Sequence, residues 1–192
     1  QQQLQTSVGA SENIQVQIET LQNELAVLHT ELSSAAALLH EGRVGVVSGF
    51  EQATNDLLSA VGMPNARFKV QINSSDHFNA YGIDSVQFLL DANKSGQFLP
   101  LHKAASGGEM SRIMLCLKSQ TAAALALPTL IFDEIDTGVS GEIAIRMGEI
   151  MKEMSQTMQI FAITHLPQIA AKGNAHFKVF KSTVGEDTQS EL

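Results

Sequence analysis

A lone cysteine, Cys116, is the only thiol in this 192-residue chain, so no internal disulfide can staple it. Its place in an apolar helical pattern marks it as a small core residue and makes the cytosol the default compartment. No apolar stretch is long enough to cross a bilayer. The nearest, Thr121 to Phe132, is broken by Pro128 and ends at Asp133. No signal peptide opens the chain, and there is no internal repeat. Gln1 stands where a start methionine would, which leads us to expect a fragment with further motifs upstream. Positive charge is scarce. Twelve Lys and Arg against twenty Asp and Glu leave a net charge of -8, which is not the footprint of a self-sufficient DNA-binding domain. If the parent protein binds nucleic acid, its basic surface lies elsewhere or forms on assembly. What is present, 44% hydrophobic and 17% charged residues, fits one soluble domain with a core and an appendage.

The pattern divides after residue 61. Residues 1 to about 13 are Gln- and Ser-rich. From Ile14 the apolar positions run Ile14, Ile18, Leu21, Leu25, Leu28, Leu32, Ala35 and Leu39, alternating steps of four and three. That heptad seam reads as the end of a coiled-coil arm, or as an amphipathic helix packed on its own domain. Gly42 to Gly49 is poorer in helix formers. A second amphipathic segment, Phe50 to Val61, stops at Gly62 with Pro64 beyond. The period then changes. Ala66 to Ile72 and Val86 to Leu90 read as strands, with turn-rich sequence at Asn73 to Asp84 and Asp91 to Gly96. A helix is expected from Gly107, with Met110, Ile113, Met114, Leu117, Thr121, Ala124 and Leu125 on one face. Thr129 to Phe132 reads as a strand buried on both faces. A helix capped by Ser140 follows, with Ile143, Met147, Ile150, Met151 and Met154 inward. Gln159 to Ile163 reads as a second buried strand, then a short helix from Pro167 and a final strand near His176 to Phe180. Alternating strand and helix after residue 105 predicts an α/β fold with a parallel sheet flanked by helices.

Three pieces carry chemistry. The strand Thr129-Leu130-Ile131-Phe132 delivers Asp133 and Glu134 to a sheet edge, where open α/β sheets bind ligands. Asp133 suits Mg2+ through its hydration shell, and Glu134 suits the polarisation of a water that attacks a γ-phosphate. Ser106-Gly107-Gly108-Glu109 is a capping box, but a capping box needs no glycines. Two of them uncover the first-turn amides, so that an anion can approach the positive helix end. Thr164-His165 ends the second buried strand, so His165 emerges on the same edge and can meet a γ-phosphate or the attacking water. Asp136-Thr137-Gly138 forms a turn there too.

The order of these pieces resembles the C-terminal half of the ABC ATPase head. In that family Ser-Gly-Gly-Glu is the signature, the Asp-Glu strand is Walker B, Asp136 lies in the D-loop, and His165 is the switch histidine. The wording narrows further. Ala105-Ser106-Gly107-Gly108-Glu109-Met110-Ser111-Arg112, Pro128 to Gly138, Ile163-Thr164-His165-Leu166-Pro167-Gln168 and Gly62 to Phe68 are similar to the RecN family, bacterial DNA-repair relatives of the SMC proteins. Met110 replaces an expected Leu.

This resemblance implies catalytic roles for Glu134 and His165, and nucleotide contacts from Ser106, Gly107, Gly108, Glu109, Asp133 and Asp136. It implies ATP and Mg2+ as cofactors, with the metal at Asp133. Its implied partners are the N-terminal half of the same head, a second head in an ATP-dependent homodimer, and DNA for the full-length protein, with no membrane. The implied setting is the bacterial cytoplasm, with nucleoid association on DNA damage, and the implied role is double-strand break repair and recombination. Residues 1–61 would be the end of the arm and a connecting helix, and 62–192 the half-head.

Two other classes compete. A transporter's nucleotide-binding subunit shares the signature and Walker B, but Met110 to Lys118 lacks the run of Arg and Gln that usually follows a transporter signature. A purely structural coiled-coil protein would leave Ser106, Glu134 and His165 unexplained. One family element is missing: no Gly-x-x-x-x-Gly-Lys-Ser/Thr occurs, and Lys94-Ser95 sits in a turn without upstream glycines. This chain by itself is therefore expected neither to hold ATP tightly nor to hydrolyse it, and mixing with the N-terminal half of the head is expected to restore turnover. Steady hydrolysis by the purified chain, with contaminating ATPases excluded, would overturn that expectation.

Overall fold

In the computed structural model the backbone is described for residues 2–133, 135–184 and 187–191, and the side chains for 14–133 and 135–181. The chain divides spatially into two compact units, residues 1–48 with 71–87, and residues 49–70 with 88–192.

Helix α1 runs unbroken over Gln2–Ala60. It passes straight through Gly42 to Gly49, the stretch poorer in helix formers. A Cβ at Gly42, Gly45 or Gly49 would meet nothing within 4 Å, so no packing requires glycine there. Each lowers helix propensity by about 1 kcal/mol relative to alanine. Propagation from well-formed turns on both sides outweighs that. The stop falls where the sequence places it. Gly62 is left-handed at φ +83. Its N–H donates to Ser59 O at 3.3 Å and the Met63 N–H to Leu58 O at 2.9 Å, with Leu58 and Met63 both buried. This is a Schellman stop with its apolar contact. A side chain at Gly62 would also collide with Ile143.

Strands β1 (Arg67–Asn79) and β2 (Gly82–Asp91) are neighbours in one sheet, with β3 (Leu99–Pro100) antiparallel to β2. The stretch read as turn-rich, Asn73 to Asp84, is therefore mostly strand, and the turn proper is Ala80-Tyr81. Within the first unit a buried carboxylate holds this hairpin to α1. Asp84 accepts from Arg43 Nη1 at 2.9 Å and from the Ser74 hydroxyl at 2.9 Å, and His40 Nδ1 lies 2.9 Å away. Arg43 also donates to Tyr81 O at 2.7 Å. Seven heptad side chains, Ile14, Ile18, Leu21, Leu25, Leu28, Leu32 and Leu39, are exposed, leaving the seam uncovered.

The second unit holds the main core. Phe50, Phe68 and Phe88 cluster with ring centroids 5.4 to 6.3 Å apart. The short helix α2 spans Leu101–Ala104, and α3 spans Gly107–Thr121. Helix α3 buries Ile113, Leu115, Cys116 and Leu117, whereas Met114 and Leu125, expected on the inner face, are exposed. Burial pushes the Cys116 thiol up to about 12, so it is an inert core group. Strands β4 (Thr129–Asp133) and β5 (Gln159–Ile163) pair in parallel, joined by α4 (Gly141–Met154). Met147, Ile150, Met151 and Met154 of α4 are buried as expected. The two strands are not buried on both faces: Ile131 is 67% exposed and Ile163 56%. Among the described residues this sheet contains β4 and β5 alone. Helix α5 spans Pro167–Ala170. The last hairpin, β6 (Phe180–Val184) and β7 (Asp187–Glu191), begins later than the strand expected at His176.

Burial alone would raise the Asp84 pKa, but donation from Arg43, His40 and Ser74 outweighs it and holds the group down at about 2, against an ordinary 3.8. A depressed carboxylate stabilises the fold above its unfolded value and loses that contribution as pH falls through the folded one. Acid unfolding followed by circular dichroism should therefore show a loss of stability between about pH 4 and 2 that Asp84→Asn abolishes. Identical acid profiles for the two proteins would remove Asp84 from this role.

Candidate functional site

The signature sequence forms the start of α3 with Ser106 at the N-cap. The Glu109 carboxylate turns back and accepts from the Ser106 N–H and the Ser106 hydroxyl, each at 2.8 Å. Those two bonds, with the nearby positive charge of Arg112, hold the Glu109 carboxyl below its usual range, against a smaller opposing effect of burial. Glu109 is thus engaged in ordering the helix start. Ser106 and Gly107 are exposed, and a Cβ at Gly107 would meet nothing within 4 Å. The helix start therefore has room for an anion beside Gly107.

Gly108 has a second reason to be glycine. A Cβ there would lie 3.1 Å from the carbonyl oxygen of Thr137, so the turn after β4 rests directly on the signature helix. Arg112, one helical turn on, brings Nη1 to 3.7 Å from the same point. Its Nε is buried without a hydrogen-bond partner among the described residues. Arg112 stands in the signature motif without an assigned role there, and its four-residue spacing from Gly108 places the two on one helix face.

The parallel register brings the other two pieces together. Asp133 pairs with Ile163 at the C-terminal ends of β4 and β5, and Thr164 and His165 follow immediately. Asp133 is exposed at that edge. Glu134 lies outside the described residues. The His165 side chain is 71% exposed. Asp136, expected among the nucleotide contacts, is fully buried, and its carboxylate turns inward. Its Oδ2 accepts from the Thr164 hydroxyl and from the His165 N–H at 3.3 Å, and His165 Nδ1 stands 3.5 Å from Oδ1. Thr164 in turn accepts from the Leu166 N–H at 3.0 Å, which starts α5. Sequence reasoning placed Asp136, Thr164 and His165 on one edge but missed that they bond to one another.

The described residues contain no group of three or more His, Cys, Asp or Glu that could hold a metal. Among the described residues Asp133 offers an exposed carboxylate at the edge. That fits Mg2+, which keeps several waters and needs only one or two carboxylates besides phosphate oxygens.

Comparison with known proteins bears on what this edge serves. DNA repair protein RecN of Haemophilus influenzae is 37% identical over 163 residues, covering 84% of this chain and 29% of its own length. RecN of Treponema pallidum is 38% identical over 195 residues, covering 98% and 33%. RecN of Vibrio cholerae is 33% identical over 176 residues, covering 91% and 32%. The chain belongs to the RecN family. It spans about a third of the length of the curated relatives it matches. No family model matches the chain.

The Smc head domain of Pyrococcus furiosus, solved with an extended coiled coil and bound to the C-terminal domain of ScpA, matches with a TM-score of 0.54 at 15% identity, covering 74% of this chain and 34% of that one. The Smc head of Pyrococcus yayanosii, with a coiled coil and joint, gives 0.54 at 16% identity, covering 74% and 26%. At such identity the likeness shows the fold alone, and that fold is the expected ATPase-head architecture, a parallel sheet flanked by helices. The transporter and purely structural alternatives give way to the RecN reading. No helix among the described residues is long and apolar enough to cross a membrane.

Proposed function

We propose that this chain is the signature-bearing part of a RecN-type ATPase head, which binds and hydrolyses ATP as part of a longer protein acting in bacterial DNA double-strand break repair. The observation that carries this reading is the joint placement of three groups. The open α3 start, the exposed Asp133 and the exposed His165 belong to elements tied together through Gly108, Thr137 and Asp136. The phosphate cradle would come from a P-loop in the N-terminal half of the same head. The exposed apolar side chains Ile131, Phe161 and Ile163 suit a sheet that gains cover from that half.

Each residue then has one task. The Gly107 and Gly108 amides, with the Ser106 hydroxyl turned from Glu109 to the phosphate, cap the γ-phosphate held by a second head, so ATP joins two heads in a homodimer. Glu109 keeps that helix start in shape. Asp133 holds Mg2+ through water, and the ion supplies neutralisation of phosphate charge when bound. Glu134, the residue after Asp133, accepts a proton from the attacking water. His165 bonds the γ-phosphate or that water. The 59-residue α1, with its exposed heptad seam, is the end of the arm. DNA contacts belong to the assembled protein, since this chain carries a net charge of -8. The setting is the bacterial cytoplasm, with recruitment to the nucleoid on damage.

Two variants of the full-length protein test this. Glu134→Gln keeps size and a hydrogen-bond acceptor but cannot take up a proton at neutral pH. It should bind ATP and form a long-lived dimer by sizing, with turnover lowered by about 10²–10⁴-fold. Turnover near the parent rate would remove Glu134 as the base and require the strand assignment to be redrawn. Ser106→Arg puts bulk where the second head's phosphate must approach, at a folding cost of about 1 kcal/mol. It should abolish ATP-driven dimerisation while leaving nucleotide binding to a single head intact. Loss of single-head affinity in a folded Ser106→Arg protein would contradict a role in trans.

A further inference from the structure

We infer that Asp136 is a positioning residue for His165 within its own head, and that it reaches no nucleotide. The inference rests on the ATPase reading above and concerns how that site is held. The turn that carries Asp136 is plugged into the core from both sides. Ile135 and Val139 are 6% and 7% exposed, and the Val139 N–H closes the turn on Asp136 O at 3.0 Å. The residues this turn shows to solvent are Thr137, Gly138 and Ser140. Asp136 is 0% exposed between them. For its carboxylate to touch a nucleotide, the turn would have to withdraw both apolar plugs, and Thr137 would leave its seat against Gly108.

The inward carboxylate is shaped for a different task. Oδ2 takes the Thr164 hydroxyl and the His165 N–H, which fixes the backbone at the point where β5 ends. Oδ1 is buried with no hydrogen bond among the described residues, and His165 Nδ1 is 3.5 Å from it. A buried, unpaired carboxylate oxygen is unfavourable, and a small rotation of the imidazole closes the gap with Nδ1–H donating. Contacts of this kind are often long in nucleotide-free sites and tighten on assembly. The consequence is chemical as well as geometric. An Nδ1–H given to Asp136 leaves Nε2 on the exposed side of the ring, without a proton in the neutral form. Asp136 thereby decides which nitrogen faces the γ-phosphate and the water. Because the same turn rests on Gly108, the histidine and the signature helix are held by one short segment.

The test is a double-mutant cycle on turnover by the full-length protein, with Asp136→Asn, His165→Ala and both together. Asn keeps the size and can still accept from Thr164, but it presents an N–H or a weaker acceptor to Nδ1. The expected result is a loss in kcat of about 10- to 100-fold for Asp136→Asn, with KM for ATP and single-head nucleotide affinity unchanged. In the His165→Ala background the same substitution should cost nothing further. If Asp136→Asn lowers the melting temperature enough to unfold the head, Thr164→Val, which removes one donor to the same carboxylate, carries the cycle with a smaller loss in the same direction. Equal losses with and without His165 would overturn the inference and leave the ATPase reading standing. So would a rise in KM with kcat unchanged, which would mean that Asp136 meets the nucleotide. Parental turnover in His165→Ala itself would sink both the inference and the role given to His165 in the reading above.

Discussion

The parallel pairing of β4 with β5 is the constraint on which the rest of the site depends. Their register runs from Thr129↔Gln159 to Asp133↔Ile163, so two segments distant in sequence end at the same height on one edge. A slip by one residue would turn every side chain on one strand to the other face, and Asp133 and His165 would part. Hydrogen bonds along the ladder do not choose that register alone. The buried face of α4, with Met147, Ile150, Met151 and Met154, lies on the crossover between the strands and limits how they can shift. At the far end Asp136 ties the exit of β4 to the exit of β5 through Thr164 and the His165 amide.

A second constraint links that edge to the signature helix. Gly107 and Gly108 look equivalent in the motif, yet their surroundings differ. Gly107 faces open space, where absence of a side chain leaves room for an anion. Gly108 is pressed by the Thr137 carbonyl, where a methyl group would force the turn away. Binding surface and internal packing thus meet within two adjacent residues. The same economy appears at Glu109. Its carboxylate is occupied with Ser106 and lowers the cost of ordering a helix end that must stay uncovered.

Much of this could be read along the chain. The stop at Gly62, the start at Ser106, the strands at Thr129 and Gln159 and the inner face of α4 all follow from neighbours within four or five residues. Misreadings arose where a distant partner decides the outcome. Asn73 to Asp84 has turn-like composition, but pairing within the sheet and the bonds from Asp84 to Arg43 and His40 on α1 make it strand. Gly42, Gly45 and Gly49 make their stretch a poor helix former, which cooperativity along a 59-residue helix overrides. The apolar runs of β4 and β5 suggest full burial, but composition does not report what packs over each face of a sheet.

The sequence by itself determined where α1 stops, where α3, β4 and β5 begin, which residues follow the ends of those two strands and which family the motifs resemble. It could do so because helix caps, hydrophobic periods and glycine turns are interactions between near neighbours. Only the tertiary structure decided the direction of Asp136. Its carboxylate could face a nucleotide or the core, and the choice rests on Thr164, 28 residues away, on the His165 amide beside it and on the burial of Ile135 and Val139. A carboxylate surrounded by donors and closed off from water settles where those donors stand, and their positions are set by the packing of the two strands.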